Sequence, residues 1–141
     1  MISLNLYMNV DKTNLIKAAA ATRENAFAPY SNFKVGAAVE TDGGEIFTGC
    51  NVESASFGLT ICAERVAIFS AVAAGHNRIR RIAVVADTED LTAPCGACRQ
   101  IIWEFGGDIE VELSNLDGKS QTLGMKDLLP SAFDRHSLTG K

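Results

Sequence analysis

Two short stretches of the chain carry cysteine residues at spacings that suit metal binding. Cys62 lies in the first stretch, and Cys95 and Cys98 form a Cys-x-x-Cys pair in the second, directly after Pro94. Each stretch follows a polar loop and opens a segment of helical character, so the positive ends of two helices would face the thiolates. Thiolates are preferred ligands of zinc. The Cys-x-x-Cys pair alone is also compatible with redox chemistry or with half of a structural zinc site.

The number of available ligands separates the two kinds of zinc site. A structural site closes with four protein ligands, whereas a catalytic site keeps one position open. Cys50, His76 and His136 are the candidates for a fourth ligand. Cys50 is predicted to lie on a strand as a small buried hydrophobe, His76 at the far end of the helix that Cys62 opens, and His136 in the C-terminal tail. The sequence therefore favours three thiolates and an open position.

Charged side chains follow the predicted ligands closely. Glu64 comes two residues after Cys62, where it can either complement the helix dipole or exchange protons with water at an open metal site. Three thiolates would leave a zinc centre with a net charge of about −1. Arg65 and Arg99 are expected to offset that charge by donating hydrogen bonds to sulfur, the alternative being surface salt bridges.

Hydrophobic periodicity and turn residues predict the element order α-β-β-α-β-α-β-β-α. The first predicted helix runs from a cap at Asp11 or Thr13 to residue 27. Three further helices are predicted over residues 62–74, 95–105 and 125–129. The predicted strands cover residues 35–41, 45–52, 82–86, 109–113 and 120–123. This alternation implies an α/β fold, a three-layer α/β/α sandwich with a mixed five-stranded sheet.

The elements leave no linker, so residues 1–141 are expected to form a single domain. Residues 1–9 are expected to be a loose leader and residues 134–141 a tail. Gly36 and the two alanines that follow it make the first strand unusually small. Their size indicates either close packing beneath a helix or space beside a pocket.

Composition narrows the class of ligand. The chain has 141 residues and a formal net charge of −4, with mostly scattered lysine and arginine. We therefore expect no nucleic-acid partner and a small, uncharged or weakly charged ligand instead. The sequence has no apolar run long enough to cross a membrane and no N-terminal pattern typical of a signal peptide. The corresponding expectations are a cytoplasmic location and cysteines that are thiols or metal ligands rather than disulfides.

Several blocks of the chain together resemble the zinc-dependent cytidine deaminases of the small homotetrameric type. The resemblance rests on Cys-Ala-Glu at 62–64 and Pro-Cys-Gly-Ala-Cys-Arg-Gln at 94–100, with further blocks at 28–38, 48–53 and 128–133. In zinc deaminases of this class, three-cysteine ligand sets occur and a glutamate that is not a ligand acts as general acid and base. The resemblance thus implies one zinc ion per subunit.

The resemblance also implies roles for individual residues. Cys62, Cys95 and Cys98 would hold the metal, and Glu64 would carry protons and contact the pyrimidine ring. Phe33 and the backbone near Ala63 would contact the base of the substrate. Asn51 and Glu53 would bind the ribose hydroxyls. Phe133 would contact the substrate site of a neighbouring subunit. Arg65 and Arg99 would support the metal ligands. The implied assembly is a homotetramer with active sites shared between subunits.

Two positions depart from the pattern. Ser54 and Phe57 stand where the family commonly has asparagine and tyrosine, which puts in doubt any polar contact from the missing phenol hydroxyl. The departure is expected to change affinity rather than chemistry.

The implied activity is hydrolytic deamination of cytidine and 2′-deoxycytidine to uridine and 2′-deoxyuridine with release of ammonia, a step of pyrimidine salvage. One alternative is a related hydrolase acting on a cytosine-containing antibiotic such as blasticidin S. The presence of Asn51 and Glu53, which the resemblance implies bind ribose hydroxyls, argues against this antibiotic-specific alternative. A noncatalytic zinc-stabilised scaffold would need a fourth ligand and have no use for Glu64. A redox protein would use only two of the three cysteines.

Overall fold

The computed structural model describes the backbone of residues 4–140 and the side chains of residues 12–140. In chain order, its elements are α1 (Leu4–Arg23), β1 (Val35–Thr41), β2 (Ile46–Cys50), α2 (Ala63–Ala73), β3 (Ile79–Ala86), α3 (Gly96–Gly106), β4 (Glu110–Ser114), β5 (Ser120–Gly124), α4 (Met125–Leu128) and α5 (Arg135–Thr139). A 3-10 turn at Phe57–Leu59 interrupts the loop between β2 and α2. Among these described helices, none is both long and apolar enough to span a bilayer.

The strands form one mixed sheet in the order β2-β1-β3-β4-β5. β1 is antiparallel to β2 and β3, β3 is parallel to β4, and β4 is antiparallel to β5. Because of these directions, the start of β1 and the ends of β2, β3 and β4 lie along the same edge of the sheet. The predicted five-stranded mixed sheet is confirmed.

Alternate residues of the strands pack against helices on opposite faces of the sheet. On one face, α2 and α3 cover a core that includes Val39, Ile82 and Val84. On the other face, Leu15 and Ala19 of α1 pack on Ala38, Ala83 and Val85. Such two-sided burial produces the three predicted layers and explains the continuous apolar run of β3.

Two glycines allow the helices to approach the sheet closely. A Cβ atom on Gly36 would lie 1.9 Å from the carbonyl oxygen of Ala19 in α1. A Cβ atom on Gly49 would lie 2.3 Å from the backbone nitrogen of Ala67 in α2. Of the two interpretations of the small residues in β1, close packing beneath a helix is therefore correct for Gly36.

The first helix differs from its prediction at both ends. It begins at Leu4 rather than at a cap near Asp11 or Thr13, so the predicted leader is wrong over residues 4–9, while residues 1–3 lie outside the described part. Residues 4–23 contain neither glycine nor proline, so nothing in the sequence stops the helix from starting early. At its other end, the backbone of Phe27 pairs with the segment after β2, through an N–H bond to Asn51 at 3.0 Å. This tertiary contact ends the helix before the predicted residue 27.

The predicted tail contains the short helix α5. Asp134 caps it by accepting a hydrogen bond from the backbone N–H of His136 at 2.9 Å. In return, the backbone N–H of Asp134 donates to the hydroxyl of Ser137 at 3.2 Å. The prediction missed this capping box because serine replaces the usual glutamate or glutamine at its third helical position.

Candidate active site

The three predicted cysteine ligands converge. The sulfur atoms of Cys62, Cys95 and Cys98 all lie within 4.8 Å of one another, and those of Cys62 and Cys95 are 3.7 Å apart. Zinc–sulfur bonds of about 2.3 Å in a tetrahedron place sulfurs about 3.8 Å apart. The donor set and its spacing therefore fit a zinc ion with one position left for a non-protein ligand. Within residues 12–140, no other group of cysteine, histidine or carboxylate side chains has comparable geometry.

Two helix N-termini create this convergence. Cys62 is the N-cap residue of α2 and Cys95 that of α3, both with extended backbone angles, and Cys98 lies in the first turn of α3. The first N–H groups of a helix have no partner within the helix, and they carry the positive end of its dipole. The positive ends of both helices therefore face the cysteine cluster. Cys62 and Cys95 occur at the ends of polar loops because each is the N-cap residue at which a helix begins.

Arg65 contacts the cysteine cluster as predicted. Its Nη2 atom donates to the sulfur of Cys62 at 3.5 Å. A hydrogen bond from the Cys98 thiol, together with Arg65, lowers the pKa of Cys62 to about 5. The contact with Cys62, and burial, raise the pKa of Cys98 above its ordinary value. Of these two thiols, Cys62 therefore ionises the more readily, and it lies beside the guanidinium group.

The expectation for Arg99 is wrong in its partner. Arg99 Nε donates to the carbonyl oxygen of Pro94 at 2.8 Å, and Nη1 donates to that of Leu128 at 2.8 Å. Long helical side chains extend toward the helix N-terminus, which brings Arg99 to the residue before Cys95 rather than to a sulfur atom. Arg99 thus fixes the backbone that leads into the ligand Cys95.

A cavity of about 320 Å³ adjoins the cysteine cluster. It is lined by Ser31, Phe33, Val35, Asn51, Glu53, Thr60, Cys62, Ala63, Glu64, Val84, Thr92, Ala93 and Cys95. Phe33, Asn51, Glu53, Ala63 and Glu64 are among the residues predicted to serve the site. A larger cleft of about 390 Å³, beside Trp103 and Arg135, contains none of them. The smaller cavity is therefore the candidate active site.

Glu64 is the buried carboxyl group of this cavity. Only 4% of the residue is exposed, and no ion pair is described for it. Burial raises its pKa above the ordinary value, and the negative charge on nearby Cys62 raises it further. A carboxyl group that binds its proton more readily than usual is suited to accept and return protons near neutral pH.

Asn51 and Glu53 lie where the end of β2 meets the loop before β1. Asn51 Nδ2 donates to the carbonyl oxygen of Phe33 at 2.7 Å, and its Oδ1 accepts from the N–H of Val35 at 2.8 Å. One amide proton and one oxygen lone pair of Asn51 remain for a ligand. Glu53 accepts from the backbone N–H groups of Tyr30 at 2.9 Å and Ser31 at 3.1 Å. Both side chains are thus held in place by backbone groups while facing the cavity.

The two predicted phenylalanines occupy different places. Phe33 lines the cavity, whereas Phe133 does not and is 60% exposed. The carbonyl oxygen of Phe133 accepts a hydrogen bond from Gln100 of α3 at 2.6 Å. The structure therefore anchors the backbone of Phe133 to the helix that carries Cys98 while its ring remains accessible.

Sequence reasoning missed part of the cavity wall. Thr60 and Thr92 contribute hydroxyl groups, and Val35, Val84 and Ala93 contribute apolar surface. Ser31 also lines the cavity, and its place in the sequence block 28–38 indicates no individual role for it. Polar loops such as the one before Pro94 have no hydrophobic periodicity, so the sequence does not distinguish a residue that lines the cavity from one that faces solvent.

None of the three alternative ligands joins the cysteine cluster in the described structure. Cys50 lies at the end of β2 and is partly buried. His76 pairs with Glu45 at 3.8 Å, and His136 is exposed in α5. The prediction that His76 and His136 are poorly placed for a fourth ligand is confirmed. Cys50 lies on the predicted strand, but it is less buried than predicted.

Comparisons with known proteins agree with this geometry. Residues 9–112 match the family model described as the cytidine and deoxycytidylate deaminase zinc-binding region. The chain is 46% identical over 133 residues to a cytidine deaminase of Sporosarcina psychrophila, covering 94% of this chain and 96% of the relative. It is 48% identical over 125 residues to one of Halalkalibacterium halodurans, covering 88% and 95%.

Solved structures give the same result. The cytidine deaminase from Burkholderia pseudomallei superposes with a TM-score of 0.83 at 55% identity, covering 86% of this chain and 98% of that one. The cytidine deaminase from Mycobacterium tuberculosis superposes with a TM-score of 0.77 at 37% identity, covering 87% and 97%.

Proposed function

The chain belongs to the cytidine and deoxycytidylate deaminase family, and from that premise we propose that it hydrolyses cytidine to uridine and ammonia. Zinc is the cofactor, and Cys62, Cys95 and Cys98 would hold it. The observation that carries the proposal is the buried carboxyl group of Glu64 in a cavity that adjoins three cysteine sulfur atoms at zinc spacing.

The residues of the cavity divide the reaction between them. Zinc, when bound, supplies the Lewis acidity that makes water nucleophilic at neutral pH. Glu64 takes one proton from the attacking water and delivers it to ring nitrogen N3. It then takes the second proton from the hydroxyl group formed at C4 and delivers it to the amino group, which leaves as ammonia while the C4 carbonyl forms. The raised pKa of Glu64 supports both halves of this exchange. Arg65 donates to Cys62 and offsets the negative charge of the thiolates.

The sugar is recognised at the other group of polar side chains. Asn51 and Glu53 are fixed by backbone groups and offer their remaining donor and acceptor capacity to ribose hydroxyls. Phe33 lies against the pyrimidine and the backbone near Ala63 contacts its polar edge. The 3′-hydroxyl is common to ribose and deoxyribose, so 2′-deoxycytidine is also a substrate.

The active assembly is a homotetramer with shared sites. Its support within one chain is the exposed ring of Phe133, displayed on a backbone that α3 anchors. Phe133 closes the cavity of a neighbouring subunit. A cytoplasmic location is supported by the chemistry of the cysteines, because thiolate ligands persist most readily in a reducing compartment.

Incubation of the zinc-loaded protein with cytidine, 2′-deoxycytidine and blasticidin S tests the proposal. We expect ultraviolet loss and stoichiometric ammonia with both nucleosides, and particles of tetramer mass by light scattering. A protein that is inert on both nucleosides contradicts the proposed activity. A fully active monomer contradicts the shared site.

A further inference from the structure

We propose that Asn115 is a positioning residue for the substrate cavity. Through a hydrogen bond to the backbone of Thr88, it holds in place the part of the cavity wall formed by residues 87–94. The identity of the substrate in this inference rests on the proposed function. The tether itself rests on contacts among the described residues.

The Asn115 side chain joins two segments. It directly follows β4 and is only 7% exposed. Its Oδ1 atom accepts from the N–H groups of Asp117 at 3.0 Å and Lys119 at 2.9 Å, which shapes the turn into β5. Its Nδ2 atom donates to the carbonyl oxygen of Thr88 at 3.1 Å. Only the amino group can donate to a carbonyl, so the partners determine the orientation of the amide.

The segment beyond Thr88 leads directly into the cavity. The hydroxyl groups of Thr88 and Thr92 are 3.1 Å apart, and Thr92 and Ala93 line the cavity. At the end of the segment, the carbonyl oxygen of Pro94 accepts from Arg99. Thr88 is thus held by a side chain from the turn after β4 and Pro94 by a side chain of α3, on either side of the lining residues.

This wall depends on side chains for its position. No hydrogen bond between backbone groups is described for residues 87–94, and the segment has no regular structure. Loss of the Asn115 donor would therefore free the first anchor of the wall. It would leave in place Cys95 and Cys98, which follow the second anchor, and Cys62, which lies at the start of α2. The expected result is weaker substrate binding with little change in the chemical step.

A single isosteric substitution separates this role from a role in the turn alone. Asn115→Asp keeps an oxygen that accepts from Asp117 and Lys119, but it removes the donor to Thr88 and places a carboxylate oxygen near that carbonyl. Lys119→Ala is the matched control, because it changes an exposed side chain of the same turn and leaves its backbone bonds available.

The experiment compares the zinc-loaded protein and both variants by steady-state kinetics with cytidine and by NMR order parameters of the backbone N–H groups of residues 87–93. For Asn115→Asp we expect a KM raised about ten-fold, the effect of one ordinary hydrogen bond, with kcat changed less than about two-fold. The order parameters of residues 87–93 should fall at unchanged zinc content. Lys119→Ala should match the wild type in both measurements.

Wild-type order parameters in residues 87–93 of Asn115→Asp would overturn the tether, whatever the kinetics show. Lower order parameters with a KM within about two-fold of the wild type would overturn the role in substrate positioning. If the wild-type protein does not deaminate cytidine, the proposed function fails, whereas the order parameters still decide whether Asn115 holds the wall.

Discussion

Ser31 holds Glu53 through two groups at once, its backbone N–H and its hydroxyl. The hydroxyl bond is the largest cause that places the pKa of Glu53 below its ordinary value. Both residues lie where the candidate active site meets a second hollow, lined also by Tyr30 and Phe57. The relationship keeps a partly buried carboxylate ionised and oriented at the position proposed to bind the sugar.

The Ser31–Glu53 contact predicts a pH dependence. A carboxyl group with a lowered pKa stays ionised as the pH falls below its ordinary value, and nucleoside affinity that depends on its charge is lost only on passing through the lowered pKa. Ser31→Ala removes the largest cause, so the titration of Glu53 should move to higher pH. Carboxyl-carbon NMR and uridine affinity as a function of pH measure the shift.

Thr92→Val is the matched control for that experiment, because it removes another cavity hydroxyl that does not contact Glu53. It should leave the titration of Glu53 unchanged. An unchanged titration in Ser31→Ala would show that the hydroxyl does not control the charge of Glu53.

Arg65 is predicted to strengthen zinc binding through its bond to Cys62. Replacement of a group that supports a metal ligand typically costs about 10- to 100-fold in metal affinity. We expect Arg65→Gln to lose affinity in that range and Arg65→Lys to lose less, because lysine keeps the charge but not the planar donor geometry. Competition with a chromophoric chelator measures both. Wild-type affinity in Arg65→Gln would contradict the assignment.

The close approach of β2 to α2 predicts a stability difference between two glycines. In Gly49→Ala the new Cβ would meet backbone atoms of Ala67, Ala63 and Val66 at 2.3, 2.7 and 2.9 Å, so strand and helix must separate. We expect a loss of about 1–3 kcal/mol or more. In Gly58→Ala the Cβ meets nothing within 4 Å, and the change should stay within about 0.5 kcal/mol. Equal thermal midpoints for the two variants would contradict the packing described.

The sequence predicts best where local signals and tertiary contacts agree. The strand Val35–Thr41 was predicted at its observed bounds, because an apolar run leads directly into hairpin turn residues. The helix after Cys62 was predicted to within one residue at each end, because loop residues precede it and Gly75 follows it. At α1 the prediction was wrong at both ends, since a potential cap does not oblige a helix to start there.

In the candidate active site too, residues with a local sequence signal could be predicted, whereas residues whose roles depend on tertiary contacts could not. Metal ligands and Glu64 carry strong spacing signals, and the structure brings them to one cavity. The partner of Arg99 could not be read from sequence, because it depends on the direction of a long side chain and on the return of residues near Leu128 to α3. The roles of Thr92 and Asn115 could not be predicted from the sequence for a similar reason, since they depend on contacts between segments distant in sequence.

The central claim is that Glu64 moves the protons of a zinc-dependent deamination, and Glu64→Gln tests it most directly. Glutamine has nearly the same shape and cannot exchange protons, whereas Glu24→Gln changes an exposed carboxylate in a surface ion pair. With zinc content and uridine binding verified for each protein, kcat for cytidine is the decisive measurement. We predict a loss of at least about 10³-fold in Glu64→Gln and wild-type turnover in Glu24→Gln. A zinc-loaded Glu64→Gln protein that keeps kcat within about ten-fold of the wild type would contradict the account.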